Sequence, residues 1–408
     1  YDWGRAPATA PMGTALRSFS PPLNLASRPP MILLSIVRRF RPSLITVAAL
    51  TLLSCARTSG PIVIGLAGPM TDPLGVAQLK AARLAVEQIN ERGGLHGQPL
   101  RLRIVDDSGS ENAAVLGAKS LYDDAAVVAV VGHVTSGTSI AAARVYGAGD
   151  RPLPMISPTA SSPELSGINP YTFRVCPSDL SHGPALARYA RARLSARRAA
   201  IIYLNDDYGR GVRAAFAAEF ERLGGTVVEQ DPFLGSTTSL EPYLSRARGA
   251  GVDVLMIAAD VPGAELVLRE LRRQGLRWPV IGSDALVGIE ADGPLAEGIH
   301  ISSAYLSDRP GEKNAAFVLQ FFRATQGERP NDVAGLTYDA VQLLAQAIDA
   351  VGPDRRAIRD YLASVGPRRP AFEGVSGSIA FDTSGDVPGK PLTIATVRSG
   401  KLFAEASE

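Results

Sequence analysis

One stretch of sequence decides the fold class, namely residues 127–138, which read VVAVVGHVTSGT. Its first five residues are apolar and mostly β-branched, which is typical of a strand covered on both faces of a sheet. A loop rich in hydroxyl groups follows, and a helical pattern over about 137–147 follows the loop. A strand that leads through a short loop into a helix begins a βαβ unit, so this stretch predicts a parallel sheet.

The same alternation of strand and helix patterns extends outward in both directions. In the first half we expect strands at 62–66, 100–105 and 153–156, and helices around 79–89 and 112–123. The alternation then starts again in the second half. We expect strands there at 199–204, 226–228, 252–257, 280–282 and 298–302, and helices at 208–223, 240–249 and 262–274. The C-terminal part adds helices near 312–325, 335–351 and 354–364 and strands near 377–381 and 392–398. These patterns predict two successive α/β units of similar design, joined near 174–180.

The N-terminal region carries an export pattern. An apolar run of about a dozen residues follows Arg38, Arg39 and Arg41 and ends at Cys55, and it is too short for a membrane-spanning helix of roughly 20 residues. A Cys at the cleavage point resembles the lipobox of bacterial lipoproteins, so we expect a lipoprotein signal peptide at 31–54 and a lipidated Cys55. An ordinary signal peptide that contains a Cys is the alternative. Residues 1–30 are expected to be a non-native upstream segment or a disordered leader.

Charge and rare residues exclude several classes of function. Six arginines and one aspartate fall in residues 1–54, so the remainder has 36 basic and 39 acidic residues and a net charge of about −3. No clustered basic surface indicates a nucleic-acid partner. The four histidines lack metal-ligand spacing, so no metal or cofactor is expected. Cys176 is expected to be a small buried apolar residue.

Two hydroxyl-rich loops follow predicted strands of the first unit, and ligands bind beyond the carboxyl ends of such strands. The loop at 132–138 contains Ser136 and Thr138 just before a helix, and the loop at 156–162 contains Ser161. Free N–H groups at a helix start attract an anion, and a Ser hydroxyl adds a neutral donor, which suits a carboxylate. The alternative is that Ser136 and Thr138 only cap the helix.

A carboxylate occupies the corresponding place in the second unit. Asp284 follows the predicted strand at 280–282, so its side chain is expected in the same crevice, where it suits an ammonium group. A solvated turn residue is the alternative. Together, anion donors on one unit and a carboxylate on the other predict a clamp for a zwitterion.

Seven short motifs carry a resemblance that covers essentially all of 61–400. They are Gly93-Gly94-Leu95-His96-Gly97, Asp106-Asp107, Gly132-His133, Ile156-Ser157-Pro158, Pro163-Glu164-Leu165, Asp207-Tyr208-Gly209 and Thr337-Tyr338-Asp339-Ala340. In this order and spacing they resemble the substrate-binding proteins of branched-chain amino-acid ABC transporters. The resemblance implies the type I periplasmic binding fold, in which two doubly wound α/β lobes are joined by three hinge crossovers. The lobes would comprise 61–176 plus 305–375 and 177–304 plus 376–404.

The resemblance also implies a binding site and partners. Ser136, Ala160 and Ser161 would hold the α-carboxylate and α-amino group of the ligand, and Asp284 would take the ammonium. Tyr208 and Leu74 match positions that line the side-chain pocket. The expected protein is an exported, membrane-anchored monomer that delivers a small ligand to an ABC permease and is not an enzyme.

The sequence departs from the family pattern beside this pocket. Asp260 and Val261 stand where an aromatic pair is common. A carboxylate there would disfavour a purely aliphatic ligand side chain, so the ligand is expected to be an amino acid or a related small polar molecule. A disulfide found in one family member is also absent, because its positions hold Ser and Thr.

Three other functions compete with capture for transport. A ligand-sensing module of the same fold, responding to an amide, urea or carboxylate, is the first. A remote second is an NAD-dependent oxidoreductase, because residues 209–214 match G-x-G-x-x-A and Glu229 follows about 20 residues later. The carboxylates of Asp206 and Asp207 next to that motif would repel a pyrophosphate. Hydrolysis lacks a recognisable motif, and His133 near Ser136 is expected to be a loop-packing residue.

Overall fold

The computed structural model describes residues 60–405 of the chain. The predicted leader at 1–30, the predicted signal peptide at 31–54 and the predicted lipidation of Cys55 lie outside these residues. Within the described part of the chain, no helix is both long and apolar enough to cross a membrane.

The first half of the described chain forms a five-stranded parallel sheet in the order β2-β1-β3-β4-β5. The strands are β1 (Ile62–Gly68), β2 (Leu100–Asp106), β3 (Val127–Val131), β4 (Met155–Ser157) and β5 (Thr172–Arg174). All residues of β3 are buried, as predicted from the VVAVV run. Burial of each such Val stabilises the fold by roughly 1.5–3 kcal/mol. The short strand β5 was not predicted.

Helices cover both faces of this sheet, as a buried parallel sheet requires. They are α1 (Pro73–Glu91), α2 (Glu111–Asp123) and α3 (Ser136–Tyr146). On one face, Ile64 of β1 packs in a cluster with Ala85 of α1. On the other face, Val130 of β3 packs in a cluster with α2 and α3.

The second half builds another parallel sheet, in the order β10-β9-β8-β6-β7 for the strands described to this point. These strands are β6 (Arg198–Leu204), β7 (Thr226–Phe233), β8 (Val254–Ala258), β9 (Val280–Gly282) and β10 (His300–Ser303). The helices around it are α4 (Asp179–Ala192), α5 (Asp207–Arg222), α6 (Glu241–Gly249) and α7 (Val261–Arg273). Single 3-10 turns lie at Asp284–Leu286 in this half and at Pro163–Leu165 in the first, and two short 3-10 helices, broken at Gly293, make up Ile289–Leu295.

Helix α4 is the largest element that the sequence analysis missed. Pro184 lies inside it, and the Gly183-Pro184 pair resembles a helix breaker. The helix persists because it packs closely on α5: a Cβ added at Gly183 would lie 2.5 Å from the backbone nitrogen of Phe216. Tertiary packing therefore overrides the local signal here.

The C-terminal part returns to the first sheet and then completes the second. It contains α8 (Glu312–Ala324), α9 (Asp332–Val351), α10 (Arg355–Leu362), a hairpin of β11 (Phe372–Gly374) and β12 (Gly377–Ile379), β13 (Thr393–Arg398) and β14 (Lys401–Ala404). Helices α9 and α10 pack in the first core. Strand β13 joins β10 antiparallel and β14 joins β13, giving seven strands among the described residues.

Three crossovers join the two sheets within residues 60–405. They follow β5, follow β10 and precede β13. Ile379, Phe381 and Val387 pack in the first core, although the sequence analysis assigned 376–404 to the second lobe. In the structure only Thr393 onward joins the second sheet.

Candidate functional site

The loops that follow β3 and β4 meet at the carboxyl edge of the first sheet. Ser136 is the first residue of α3, and its Oγ accepts a hydrogen bond from the backbone N–H of Ser162 at 3.2 Å. The hydroxyl proton of Ser136 therefore remains available as a donor. Thr135 precedes the helix, but its side chain does not cap it. The first N–H groups of α3 are thus left for an anion rather than for a side-chain cap.

The loop after β4 is held rigidly by hydrogen bonds. Ser157 Oγ donates to the carbonyl of His133 at 2.7 Å and accepts from the N–H of Ala160 at 3.1 Å. The carbonyl of Ala160 accepts from Arg174 Nη1 at 3.2 Å and from Cys176 Sγ at 3.4 Å. Both backbone groups of Ala160 are therefore already engaged, and Ser161 is the residue of this loop with an unused polar group.

The second sheet presents Asp284 at its carboxyl edge, directly after β9. Its Oδ1 accepts hydrogen bonds from Ser283 Oγ at 2.8 Å and from the hydroxyl of Tyr208 at 3.4 Å. Tyr208 lies in the first turn of α5, after β6. The structure thus brings Tyr208 and Asp284 together, and only 9% of the Asp284 side chain is exposed.

Two residues that sequence reasoning did not assign to the site lie next to Asp284. His182 Nε2 lies 3.6 Å from Asp284 Oδ2, and His182 Nδ1 is 2.9 Å from Ser302 Oγ. Asp179 begins α4, and its backbone N–H donates to the carbonyl of Ser161 at 2.8 Å. Both residues belong to α4, the helix that the sequence analysis missed because of the Gly183-Pro184 pair. A Ser N-cap at 178 before Asp179 is the signal that could have located its start.

Loops at the edge of the first sheet contact helix α5 of the second sheet. A Cβ added at Gly211 of α5 would lie 2.5 Å from Asp179 Oδ2 and 2.9 Å from Pro163 of the first sheet's loop. A Cβ added at Gly137 would lie 3.5 Å from Asp207 Oδ2. The start of α3 and the Pro163–Leu165 turn therefore pack directly against α5.

Four buried polar atoms in this region form no hydrogen bond of regular geometry within residues 60–405, namely Ser161 Oγ, Asp179 Oδ1, Asp179 Oδ2 and His182 Nε2. The Ser161 hydroxyl nevertheless lies near enough to Asp179 to oppose the rise in the pKa of that carboxyl. Each of these side chains is at most 1% exposed. Leaving such a group without a partner costs about 1–3 kcal/mol, so an enclosed set of this kind indicates groups held ready for a ligand.

Burial shifts the protonation of these groups. Burial and then the nearby Asp284 carboxylate raise the pKa of Asp179 well above its ordinary value. The same two causes raise the pKa of Tyr208 well above its ordinary value, so this hydroxyl remains protonated. Burial lowers the pKa of His182. The neutral imidazole and the carboxylate of Asp284 therefore form a site that favours an added cation.

The other predicted site residues lie around this centre. Thr138 is buried, and its Oγ1 is 2.7 Å from Thr135 Oγ1, so its hydroxyl is engaged within the loop. Leu74 lies partly buried in the first turn of α1. Asp260 is exposed and caps α7, with Oδ1 accepting from the N–H of Gly263 at 3.0 Å, and Val261 begins that helix.

Two residues on which the enzyme hypotheses depend are engaged in other contacts. His133 is fully buried, with Nδ1 2.6 Å from Asp107 Oδ2 and Nε2 3.2 Å from Tyr146 Oη, so it is a loop-packing residue as predicted. Neither ring nitrogen is free to activate Ser136. At the G-x-G-x-x-A motif, Asp206 Oδ1 caps α5 by accepting from Gly209 at 2.7 Å. This carboxylate occupies the helix end where a pyrophosphate would have to bind.

Cys176 is buried, as predicted, and burial raises the pKa of its thiol, which therefore stays protonated. The described residues contain no group of three or more His, Cys, Asp or Glu side chains that could hold a metal ion.

Comparison with known families assigns this architecture. The model of the family described as "Periplasmic binding protein" matches residues 61–401. The chain belongs to this family. The predicted type I periplasmic binding fold is confirmed by solved structures with the same arrangement of two sheets.

Individual relatives are similar over most of their length. The chain is 28% identical over 333 residues to the Leu/Ile/Val-binding protein homolog 1 of Brucella suis biovar 1 (strain 1330), covering 80% of this chain and 87% of that protein. The LivJ substrate-binding protein of Streptococcus pneumoniae, solved with isoleucine, is 26% identical, with a TM-score of 0.76 and coverage of 85% and 99%. An ABC transporter substrate-binding protein from Desulfitobacterium hafniense, solved with Leu, is 30% identical, with a TM-score of 0.73 and coverage of 85% and 100%.

Proposed function

We propose that this periplasmic binding protein captures an amino acid outside the cytoplasm and delivers it to an ABC importer. The observation that carries the proposal is the buried set of Ser161, Asp179 and His182 beside Asp284, whose polar side-chain atoms form no regular hydrogen bond to the part of the chain that the structure describes. Its position, between the carboxyl edges of two α/β sheets, is the usual place for a ligand in such folds. Relatives with bound Ile or Leu support an amino acid as the ligand.

In this proposal the two ends of the zwitterion bind on different sets of groups. The carboxylate lies at the start of α3, where the Ser136 hydroxyl and the free N–H groups donate to it. The ammonium lies between Asp284, Asp179 and Ser161, which offer three acceptors to its three N–H bonds. Tyr208 and Leu74 lie beside the ligand side chain.

Charge-assisted hydrogen bonds make this arrangement sufficient for useful affinity. Each contributes roughly 1.5–3 kcal/mol, and three or four of them with burial of part of the side chain reach the roughly −8 kcal/mol of a micromolar complex. Ala160 contributes by shaping the loop, because its own backbone groups are engaged.

In this proposal the ligand stabilises the closed form of the two lobes. One lobe would comprise the first sheet with α8, α9, α10 and the segment to Val387, and the other the second sheet with β13 and β14. A ligand that bridges Ser136 and Asp284 contacts both lobes only when they are closed. It therefore shifts the population toward the closed form by its extra contacts there.

The export pattern completes the proposal. Cys55 would anchor the mature protein to a membrane by lipid, and the closed form would dock on a membrane permease as a monomer. Replacing Cys55 by Ser should release the expressed protein from membranes into the soluble fraction. Recovery of the variant in membranes at the wild-type level would remove the lipid anchor from the proposal. Gel filtration with light scattering tests whether the protein is a monomer in solution.

A thermal-shift screen of the twenty amino acids, with amides and small carboxylates as further probes, tests the function. A ligand at 100 times its Kd stabilises the folded state by about 2.7 kcal/mol and raises the melting temperature. We expect at least one amino acid to do so, with calorimetric binding of one ligand per chain. If no amino acid shifts the melting temperature and an amide or carboxylate does, the amino-acid assignment is wrong.

A further inference from the structure

Helix α5 carries a sequence motif that the proposed function leaves unexplained, the G-x-G-x-x-A pattern at 209–214. Its two glycines have different neighbours. A Cβ added at Gly209 would lie 2.0 Å from the carbonyl oxygen of Leu204 and 2.9 Å from that of Ala258. Gly209 therefore allows the start of α5 to pack on the ends of its own strands, β6 and β8. Gly211 has a different environment, which includes a residue beside the first sheet.

Gly211 lies at the contact between α5 and the Pro163–Leu165 turn. It follows Tyr208 by three residues and so shares the face of α5 on which Tyr208 lies. A Cβ added at Gly211 would lie 2.9 Å from Cδ of Pro163 and 2.5 Å from Oδ2 of Asp179. Both distances are shorter than ordinary van der Waals contacts, so α5 meets the turn at a point where no side chain fits.

The turn is fixed in place on its side of this contact. The N–H of Leu165 donates to the carbonyl of Ser162 at 3.2 Å, and the N–H of Ser166 donates to the carbonyl of Pro163 at 3.1 Å. Leu165 is buried in a core cluster of the first sheet. Arg174 Nη1 also donates to the carbonyl of Ser162 at 2.8 Å. The turn therefore cannot move away without disturbing the loop after β4.

Helix α5 is fixed on the other side. Val212 and Phe216 are fully buried in a core cluster of the second sheet, and α5 packs closely on α4 at Phe216. The carboxyl of Asp179, by contrast, forms no regular hydrogen bond among the described residues, so it can rotate away from a new side chain. The collision that a side chain at Gly211 cannot avoid is thus the one with the ring of Pro163.

We propose that Gly211 determines ligand affinity, because the two lobes can close over a ligand only where α5 presents no side chain to Pro163. This inference rests on the proposed capture of a ligand between the lobes, but not on that ligand being an amino acid. The measured affinity is the affinity of the closed form reduced by the fraction of the protein that can close. A side chain at Gly211 lowers that fraction and leaves Ser136 and Asp284 unchanged. It therefore weakens the binding of every ligand by one common factor.

Titration calorimetry of Gly211→Ala and Gly211→Leu with L-leucine and L-isoleucine tests this inference. These amino acids are bound in the solved structures of two similar proteins. Gly211→Ala should weaken the binding of both by at least about tenfold, with factors that agree within about twofold, and Gly211→Leu should weaken it further. Small-angle X-ray scattering should show that saturating ligand lowers the radius of gyration of the wild-type protein and not that of Gly211→Leu.

A second substitution separates closure from an effect on Asp179. Pro163→Ala removes the Cδ atom that the new side chain would meet. The double variant Pro163→Ala with Gly211→Ala should bind ligand within about threefold of Pro163→Ala alone, because coupled positions are not additive. A side chain that acted only by displacing the carboxyl of Asp179 would not be compensated in this way. An undiminished loss of affinity in the double variant therefore overturns the inference.

The controls separate the inference from folding and from the proposed function. Gly249→Ala should leave affinity unchanged, because a Cβ at this last residue of α6 meets nothing within 4 Å. The melting temperature of each variant without ligand monitors folding. Wild-type affinity in a folded Gly211→Leu variant overturns the inference but leaves ligand capture intact. If the wild-type protein binds neither leucine nor isoleucine, the compound with the largest shift in the thermal-shift screen replaces them. If no compound in that screen binds, the proposed function fails and the inference fails with it.

Discussion

The hydroxyl of Tyr208 lies 3.4 Å from Oδ1 of Asp284, although the two residues are 76 positions apart in the chain. Tyr208 follows β6 and Asp284 follows β9, and β8 lies between these strands in the sheet. The contact holds the carboxylate at the cleft while its Oδ2 faces His182. Asp284 is therefore oriented before a ligand arrives, which reduces the entropy lost on binding.

Asp284→Ala should weaken binding of the cognate amino acid by at least tenfold. The variant removes the charged acceptor for the ammonium, a hydrogen bond that contributes roughly 1.5–3 kcal/mol. Isothermal titration calorimetry measures the effect. Asp354→Ala is the matched control: it removes a helix cap and should lower the free energy of unfolding by about 1 kcal/mol without changing affinity. Equal affinities for Asp284→Ala and the wild-type protein would exclude the ammonium role.

Ser136→Ala should weaken binding less than Asp284→Ala, by about three- to tenfold. The hydroxyl donor is lost, but the N–H groups at the start of α3 remain to bind the carboxylate. Titration of the amino acid and of its methyl ester shows whether Ser136 acts on the ligand carboxylate. The substitution should weaken binding of the amino acid and hardly change binding of the ester. A loss of the same size for both ligands would place Ser136 away from the carboxylate.

Asp179→Asn should stabilise the ligand-free protein at pH 7 while weakening ligand binding. The pKa of Asp179 is raised by burial and by Asp284, so the folded state holds a proton that the unfolded state loses above pH 4. Stability from this group is thus lost as pH rises from about 4 toward the raised pKa, and Asn removes that loss. Urea denaturation at pH 5 and pH 7 measures it. A variant less stable than the wild-type protein at both pH values would contradict the expectation.

Lys390 should make the stability of the protein rise between pH 8 and pH 9.5. Burial lowers its pKa to about 8, although its Nζ donates to Ser376 Oγ at 2.7 Å and Asp339 lies nearby. Between this value and the ordinary 10.5 the unfolded state binds more protons than the folded state, so raising the pH favours folding. The gain should be about 1–2 kcal/mol relative to Lys390→Met, measured by urea denaturation. If the free energy of unfolding of the wild-type protein falls relative to that of Lys390→Met over this pH range, the prediction is wrong.

Gly183→Ala should lower the free energy of unfolding by about 1–3 kcal/mol. The new methyl group would lie 2.5 Å from the backbone nitrogen of Phe216, so α4 and α5 would have to separate. Gly249→Ala is the control, because a Cβ at this last residue of α6 meets nothing within 4 Å and Ala favours a helix. That variant should be neutral or slightly stabilising. Similar losses in both variants would argue against the close helix contact.

The strands and helices with strong periodic patterns could be predicted from the sequence because each depends on local composition. The VVAVV run became β3, and Val280-Ile281-Gly282 became β9 with the predicted bounds. Helix α4 could not be predicted from the sequence, because Gly183 and Pro184 are typical helix breakers and only packing on α5 overrides this preference. The short strand β5 lies between turn-rich segments, and its pairing with β4 is visible only in the folded sheet.

For the site, the sequence determined that Ser136 and Asp284 follow strands, and parallel strands place their carboxyl ends at one edge. It could not determine which carboxylates share a buried space. Asp260 adjoins a strand like Asp284 but caps a helix in solvent, whereas Asp179 comes from a helix start and contributes a buried carboxyl whose pKa Asp284 raises. Burial and long-range proximity set the charge and protonation of a group, and both exist only once the lobes have folded together.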